Sequence, residues 1–387
     1  MNKNLARITE LVTAVDTETK EFLNAVCPPT YETTVFKYNS FEEAEAPNDG
    51  PHPRYGYSRT DGTPTTDALN RLMARLENGE AAMSLCSGTA AIFTAMMSCL
   101  KAGDHVIIDR NAYGRPLSLC MNTFSRFGVT CSLVSMKNTD EVREAIRSNT
   151  SLIYLESPNS WLFEIADLRA ITKMAKERGI RTIIDNTYST PVFQNPIDMG
   201  VDVVVHSVTK YLGGHSSTIG GVIVSSDEFI RNVTQVEAKM TSFEASKLLL
   251  NLRTLPLRME RHYESGRKVC ELLEQSWKVS RVFYPGSTNY PQKELAEKQM
   301  YGASGTLSFV LDCDREGTRR FINALRVVNI GGTWGSYDST IQTTDFNRDF
   351  NPQREFTTLY PHHCRLSVGL EDIDMLLEDL DQALRQI

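Results

Sequence analysis

The chain predicts an α/β fold, a large and mostly parallel sheet covered by helices, followed by a smaller C-terminal α/β domain. Two observations carry this expectation. Short runs of branched apolar residues, at 105–109, 151–155, 182–184, 201–205 and 219–224, alternate with stretches of helical periodicity. Such alternation calls for parallel strands joined by helices that cross over the sheet. The length of 387 residues is also more than one core organises, so a second domain is expected.

Taken in order, residues 1–64 are rich in Pro, Gly, Thr and Tyr, as in PPTYETTVFKYNS and APNDGPHPRYGYSRTDGTPT. That is too aromatic for a disordered tail, so it reads as an irregular, extended arm that packs on a neighbouring subunit. Regular structure then begins with TTDALNRLMARLENGE, where Leu69, Leu72, Met73 and Leu76 recur at helical spacing, with a Thr before the start and Gly79 after the end. In SGTAAIFTAMMSCLKAGDHVIID a helix opens at Ser87-Gly88-Thr89, closes near Gly103 and gives way to the strand at 105–109. The alternation continues to about residue 250, which sets a large domain at 65–250. Beyond it, MERHYESGRKVCELLEQS, GTLSFVL and EDIDMLLEDLDQALRQI read as a long polar helix, a strand and a final helix of a small domain at 251–387.

Composition narrows the function classes. With 41% hydrophobic and 23% charged residues, this is a soluble globular chain, and a net charge of -7 argues against nucleic acid or an anionic membrane as partner. No window has the apolar length of a membrane span, and residues 1–20 lack the layout of a signal peptide, so a cytoplasmic protein is expected. Eight scattered cysteines without a CxxC pair read as reduced core residues rather than a disulfide frame or zinc site. The run His362-His363-Cys364 is set aside because adjacent residues seldom share one metal, and no metal is expected.

In parallel α/β sheets, ligands bind beyond the carboxyl ends of the strands. Three segments place polar groups there: IYLES ends in Glu156 and Ser157, RTIIDNT in Asp185 and Thr187, and VDVVVHSVTK in Ser207, Thr209 and Lys210. Ser87-Gly88-Thr89 adds a helix start, where free N–H groups and the helix dipole favour a phosphate. Each piece alone has a plainer reading, as a cap or a solvated lysine. Together they form a phosphate cradle, a carboxylate and a lysine, the groups that pyridoxal 5'-phosphate requires. A non-catalytic nucleotide-binding α/β protein, with Lys210 as a phosphate contact, is the alternative from another class. The glycines after Lys210 read as room for its stem to move.

The motifs YSRTDGTPT, CSGTAAI, AGDHVI, IYLESP, IIDNTYSTPVFQNPIDMGVDVVVHSVTKYLGGHS and CRLSVGLEDIDMLLEDLDQAL resemble those of the Cys/Met-metabolism group of pyridoxal-phosphate enzymes. The resemblance runs from CPPTYETTVF to the end of the chain. It implies a fold-type I architecture with helices on both sheet faces, a sulfur amino acid substrate and a homotetramer built as a dimer of dimers. It further implies that Lys210 holds the cofactor covalently, that Asp185 meets the pyridine nitrogen, and that Gly88, Thr89, Ser207 and Thr209 surround the phosphate. Tyr57 and Arg59 resemble the pair that reaches the neighbouring subunit's phosphate. Tyr113 resembles the tyrosine that stacks on the cofactor ring, and Arg365 the arginine that clamps the substrate carboxylate.

Within that group, TWGSYDSTI resembles the SWGGYESLI of bacterial β-lyases and would place Thr333 and Trp334 near the substrate carboxylate. Ser160 stands where γ-acting members carry asparagine. The resemblance therefore implies a carbon–sulfur β-lyase that converts cystathionine, or a related cysteine thioether, to pyruvate, ammonia and a thiol. A γ-acting enzyme is the alternative. Ser217, where the group usually has Asp, and Arg115, two residues after Tyr113, depart from the pattern.

Overall fold

The computed structural model describes residues 2–13, 23–46, 55–233, 238–347 and 359–387. Seven strands form the large sheet: β1 (Ala81–Leu85), β2 (His105–Asp109), β3 (Thr130–Val134), β4 (Thr150–Glu156), β5 (Arg181–Asp185), β6 (Val203–Ser207) and β7 (Gly221–Ser225). Their order is β1-β7-β6-β5-β4-β2-β3, with β7 antiparallel to both neighbours and the other pairings parallel. Alternation along the strands sends Ile183, Val203, Val205 and Ile223 to one face, where Ala91, Ile92, Ala95 and Met96 of the helix Gly88–Cys99 cover them. On the other face Ile184, Val204, Val222 and Val224 pack with the helices Pro64–Leu76, Leu168–Lys176 and Ser242–Leu252. Helices thus cover both faces of a mostly parallel sheet. The five runs expected as strands are β2, which matches at both ends, and β4, β5, β6 and β7, whose ends shift by one to two residues. Sequence pattern overlooked β1 and β3, which are the sheet's edges and carry few branched residues (AAMSL and TCSLV).

The expectation of an irregular start to the chain is corrected. Asn2–Thr13 is a helix, because Leu5, Ile8, Leu11 and Val12 recur at helical spacing and form one apolar stripe. Ile8 and Val12 are fully buried in the large-domain core. Asn4 Nδ2 donates to Pro191 O (3.0 Å) and Val192 O (2.7 Å), and Arg7 Nη2 donates to Leu76 O (3.1 Å) at the end of the Pro64–Leu76 helix. This part of the arm is docked on its own chain. Residues 23–46 and 55–63 do run along the surface with short helical turns at Phe41–Glu45 and Ser58–Asp61, joined by an isolated bridge between Val35 and Tyr57. Residues 14–22 and 47–54 of the expected arm, the latter within APNDGPHPRYGY, lie outside the described residues.

The second sheet holds β8 (Val279–Phe283), β9 (Thr306–Leu311), β10 (Asn329–Ile330), β11 (Thr340–Thr343) and β12 (His363–Ser367), in the order β10-β11-β12-β9-β8. Helices Arg315–Ala324 and Ile373–Leu384 pack on it around Leu307, Phe309, Phe321 and Leu380. The long helix Leu255–Gln275 starts four residues before the predicted MERHYES stretch and spans both cores, with Met259 in the first and Val269 and Leu273 in the second. All eight cysteines are free thiols, but the expectation that they fill the core holds only for Cys120, Cys270 and Cys364. Cys27 and Cys86 are exposed because they lie on the arm and just beyond β1. His362 bonds Asp345 (2.8 Å) while His363 turns inward to Ser308 (2.8 Å), so the two side chains diverge. Among the described residues, no helix is long and apolar enough to cross a membrane.

Candidate active site

The carboxyl ends of β4, β5 and β6 open into a cavity of about 310 Å³, closed on the far side by the small domain. Its walls include Gly88, Thr89, Tyr113, Glu156, Asp185, Ser207, Thr209, Lys210, Trp334 and Arg365. Nine of the twelve residues assigned from sequence therefore share one cavity. Thr333 is held just beside it, and Tyr57 and Arg59 lie elsewhere.

At one end, Ser87 caps the Gly88–Cys99 helix by accepting from Ala90 N, and Gly88 and Thr89, whose N–H groups begin the helix, line the cavity. Gly88 is required by packing, since a Cβ there would lie 2.6 Å from Ser207 Cβ. The helix start and Ser207 are consequently in contact, and Thr209 flanks them. At the other end, Asp185 is buried at the tip of β5. Thr187 donates to Asp185 Oδ1 from both its N–H (3.0 Å) and its hydroxyl, and Ser207 N donates to Thr187 Oγ1 (2.8 Å). Burial raises the Asp185 pKa, while the Thr187 bonds and the nearby His206 and Lys210 work against that rise.

Lys210 lies in the turn after β6. Its Nζ donates to Thr333 Oγ1 (2.9 Å) and stands 5.4 Å from the centre of the Trp334 ring. Burial pulls its ammonium from the ordinary 10.5 to about 8; Arg365 adds to this and Asp185 opposes it. Thr333, expected near the substrate carboxylate, here accepts from the lysine. The glycines after the lysine also have a packing cause, beside the room expected for its stem. Gly214 has φ +66°, and a Cβ on it would lie 1.9 Å from Arg258 Nη1. Arg258 binds the carbonyls of Tyr211 (2.6 Å), Leu212 (3.4 Å) and Asn251 (3.0 Å), so the glycine admits the guanidinium that ties down this loop.

Tyr113 precedes the helix Gly114–Asn122 at the cavity mouth, with its ring half-exposed. Its backbone N–H donates to Glu156 Oε2 (2.6 Å), and Ser160 Oγ donates to Glu156 Oε1 (2.5 Å). Glu156 faces Asp185 across the β4–β5 pairing, and burial, reinforced by Asp185, raises its pKa. The sequence placed Glu156 and Thr187 at strand ends without giving them roles; their register beside Asp185 is the signal that could have done so. Arg365 enters from the middle of β12. Its Nη1 donates to Ser160 O (3.1 Å) and its Nη2 to Gln342 Oε1 (2.6 Å), the residue opposite it on β11.

Tyr57 and Arg59 line a separate hollow of about 390 Å³ on the arm, with Tyr31, Thr63 and Lys239. The Arg59 guanidinium sits 5.1 Å from the Tyr57 ring centre. Within one chain they do not meet Lys210.

An anion-receiving helix start, a carboxylate held in one orientation and an amine with a lowered pKa face one another across a volume of cofactor size. That donor set fits pyridoxal 5'-phosphate, and fold and site together define a fold-type I enzyme that uses it. The comparisons agree. Residues 9–385 match the profile of the Cys/Met metabolism PLP-dependent enzyme family, and the chain belongs to that family. The L-methionine gamma-lyase of Fusobacterium nucleatum subsp. polymorphum is 34% identical over 378 residues, 95% of each chain. The cystathionine beta-lyase of Lactococcus lactis subsp. cremoris (strain MG1363) is 33% identical over 378 residues, 95% of this chain and 96% of that one. The crystal structure of metB from Corynebacterium glutamicum superimposes with a TM-score of 0.90 at 29% identity, covering 98% of this chain and 97% of that one. The protein is thus a pyridoxal-phosphate-dependent lyase-family enzyme of sulfur amino acid metabolism.

Proposed function

We propose that this enzyme is a carbon–sulfur β-lyase, cleaving cystathionine or a related cysteine thioether to pyruvate, ammonia and a thiol. The observation that supports this reading best is the wall around Lys210. Trp334 lines the cavity beside the lysine Nζ, and the Ser160 hydroxyl, at the position where γ-acting members carry asparagine, is engaged by Glu156. The bound cofactor supplies an electron sink for the pair released at Cα. Arg365 binds the substrate carboxylate through its remaining N–H groups and fixes the Cα–H bond toward Lys210. Lys210, as the neutral amine that its lowered pKa favours, takes the Cα proton. Asp185, oriented by Thr187, would keep the cofactor nitrogen protonated; Tyr113 would bind beside it, and the helix start at Gly88 and Thr89 would hold its phosphate with Ser207 and Thr209. The sulfur then leaves Cβ as a thiolate without a second deprotonation, and water hydrolyses the released three-carbon enamine to pyruvate and ammonia.

In the same reading, Tyr57 and Arg59 act on the phosphate of a neighbouring subunit, which makes the enzyme at least a dimer and, as the resemblance implies, a tetramer. Their exposure on an arm outside their own cavity supports this. A second reading, γ-elimination, is favoured by the name of the methionine gamma-lyase relative. Products formed from cystathionine separate the two. β-Cleavage yields pyruvate and homocysteine, γ-cleavage 2-oxobutyrate and cysteine. Pyruvate is expected to dominate, with methionine reacting slowly; dominant 2-oxobutyrate would place the enzyme among the γ-lyases.

A further inference from the structure

Arg365 is a cation held by neutral partners. Besides Ser160 O and Gln342 Oε1, its guanidinium carbon lies 4.8 Å from the centre of the Trp161 ring. A carboxylate partner would compete with an incoming substrate carboxylate for the same N–H groups. An aromatic face stabilises the cation without consuming any of them.

Trp161 is itself fixed from behind. His363 packs edge-on to it at 5.3 Å, and Phe283 and Tyr360 pack on His363 at 5.3 and 5.9 Å. Ser308 Oγ donates its single proton to Trp161 O, so the 2.8 Å contact between Ser308 Oγ and His363 Nε2 places the imidazole proton on Nε2. Burial, with Arg365 adding to it, holds His363 far below the usual imidazole range, at about 3, so no second cation faces the guanidinium from this side. The charged groups nearest Arg365 from the remaining elements are Glu156 and Lys210, both on the cavity wall.

We propose that Trp161 is a positioning residue that sets the plane of the Arg365 guanidinium and thereby confers selectivity for a free α-carboxylate. This rests on the reading that Arg365 receives that carboxylate. Trp161 lies in the loop after β4 that also supplies the Ser160 carbonyl, so one short segment, 205 residues from Arg365 at Ser160, grips the arginine by an edge and a face.

The test compares L-alanine with L-alaninamide as inhibitors of the holoenzyme, a pair that differs only at the carboxylate and is independent of where the sulfur bond breaks. Trp161→Leu is expected to weaken L-alanine about 3- to 30-fold and to leave L-alaninamide unchanged. Trp161→Phe, which keeps an aromatic face, recovers most of the loss, and Trp161→Met serves as a second apolar variant should the leucine protein fail to fold. Equal weakening of both inhibitors, or of neither, overturns the proposal. Arg365→Gln separates the two levels. If it abolishes the preference for L-alanine while the Trp161 variants keep it, only this inference fails; if it too keeps the preference, the assignment of Arg365 fails with it.

Discussion

The strand-end residues and the arm residues, proposed to serve one chemistry, sit in opposite structural situations. Asp185, Ser207 and Lys210 sit on adjacent strands β5 and β6 or the turn that follows, backed by a packed core and tied by Thr187 and Arg258. Tyr57 and Arg59 ride on a surface segment, outside the cavity of their own chain, tied to residues 34–36 by main-chain bonds and to Lys239. A core fixes geometry because its side chains interdigitate at crystal-like density, whereas a surface arm gains fixed geometry only from what it docks on. In the proposed reading, the contrast teaches that this chain builds the reactive half of the site by itself and leaves part of the phosphate grip to another copy.

That contrast can be broken at several strengths. The largest effect is expected from Lys210→Ala, which should reduce turnover by about 1,000-fold or more, with borohydride labelling lost from the peptide containing residue 210. Labelling retained at another lysine, such as Lys247, would move the reactive half elsewhere. Arg59→Ala should weaken cofactor affinity by about 10- to 100-fold, the loss of a charge-assisted phosphate contact, while leaving the melting temperature of the cofactor-free protein unchanged. A fall in melting temperature with no change in affinity would make the arm a structural strap instead. Thr187→Val removes the hydroxyl between Asp185 and Ser207 N and should weaken cofactor binding about 3- to 10-fold.

The smallest signal is a shift in pH. Acylation needs the neutral amine, and the lowered pKa brings that form in at lower pH than for an ordinary lysine. In cofactor-free protein, acylation of Lys210 should rise with pH to half its maximum at about 8. A midpoint near the ordinary 10.5 would show that the cavity does not desolvate the amine.

How much of this was legible depended on how local the cause is. The central strands announce themselves by branched runs, and Asp185 and Lys210 by polar residues at the ends of those runs. The edges β1 and β3 do not, because an edge strand half-open to solvent needs no continuous apolar run. The helix Asn2–Thr13 was readable from Leu5, Ile8 and Val12, but the Pro- and Tyr-rich stretch that follows dominated the composition of the segment. Thr333 illustrates a different limit. Its partner is 123 residues away, and nothing in TWGSYDS says that the hydroxyl meets Lys210. Gln342 and Trp161 were hidden for the same reason, since each acts only through a tertiary contact with Arg365.

The claim that two copies share one site is tested most directly by mixing two proteins that are each impaired at limiting cofactor. Arg59→Ala lacks a sound arm and Lys210→Ala lacks a reactive lysine, yet a mixed dimer contains one site with an intact lysine from one chain and an intact arm from the other. Equal amounts co-expressed with random pairing place such sites at about a quarter of the total, so about a quarter of wild-type activity should return at limiting cofactor. If mass measurement shows both chains in the same assemblies and activity stays at the level of the separate variants, the arm does not complete a neighbouring site and the account is contradicted.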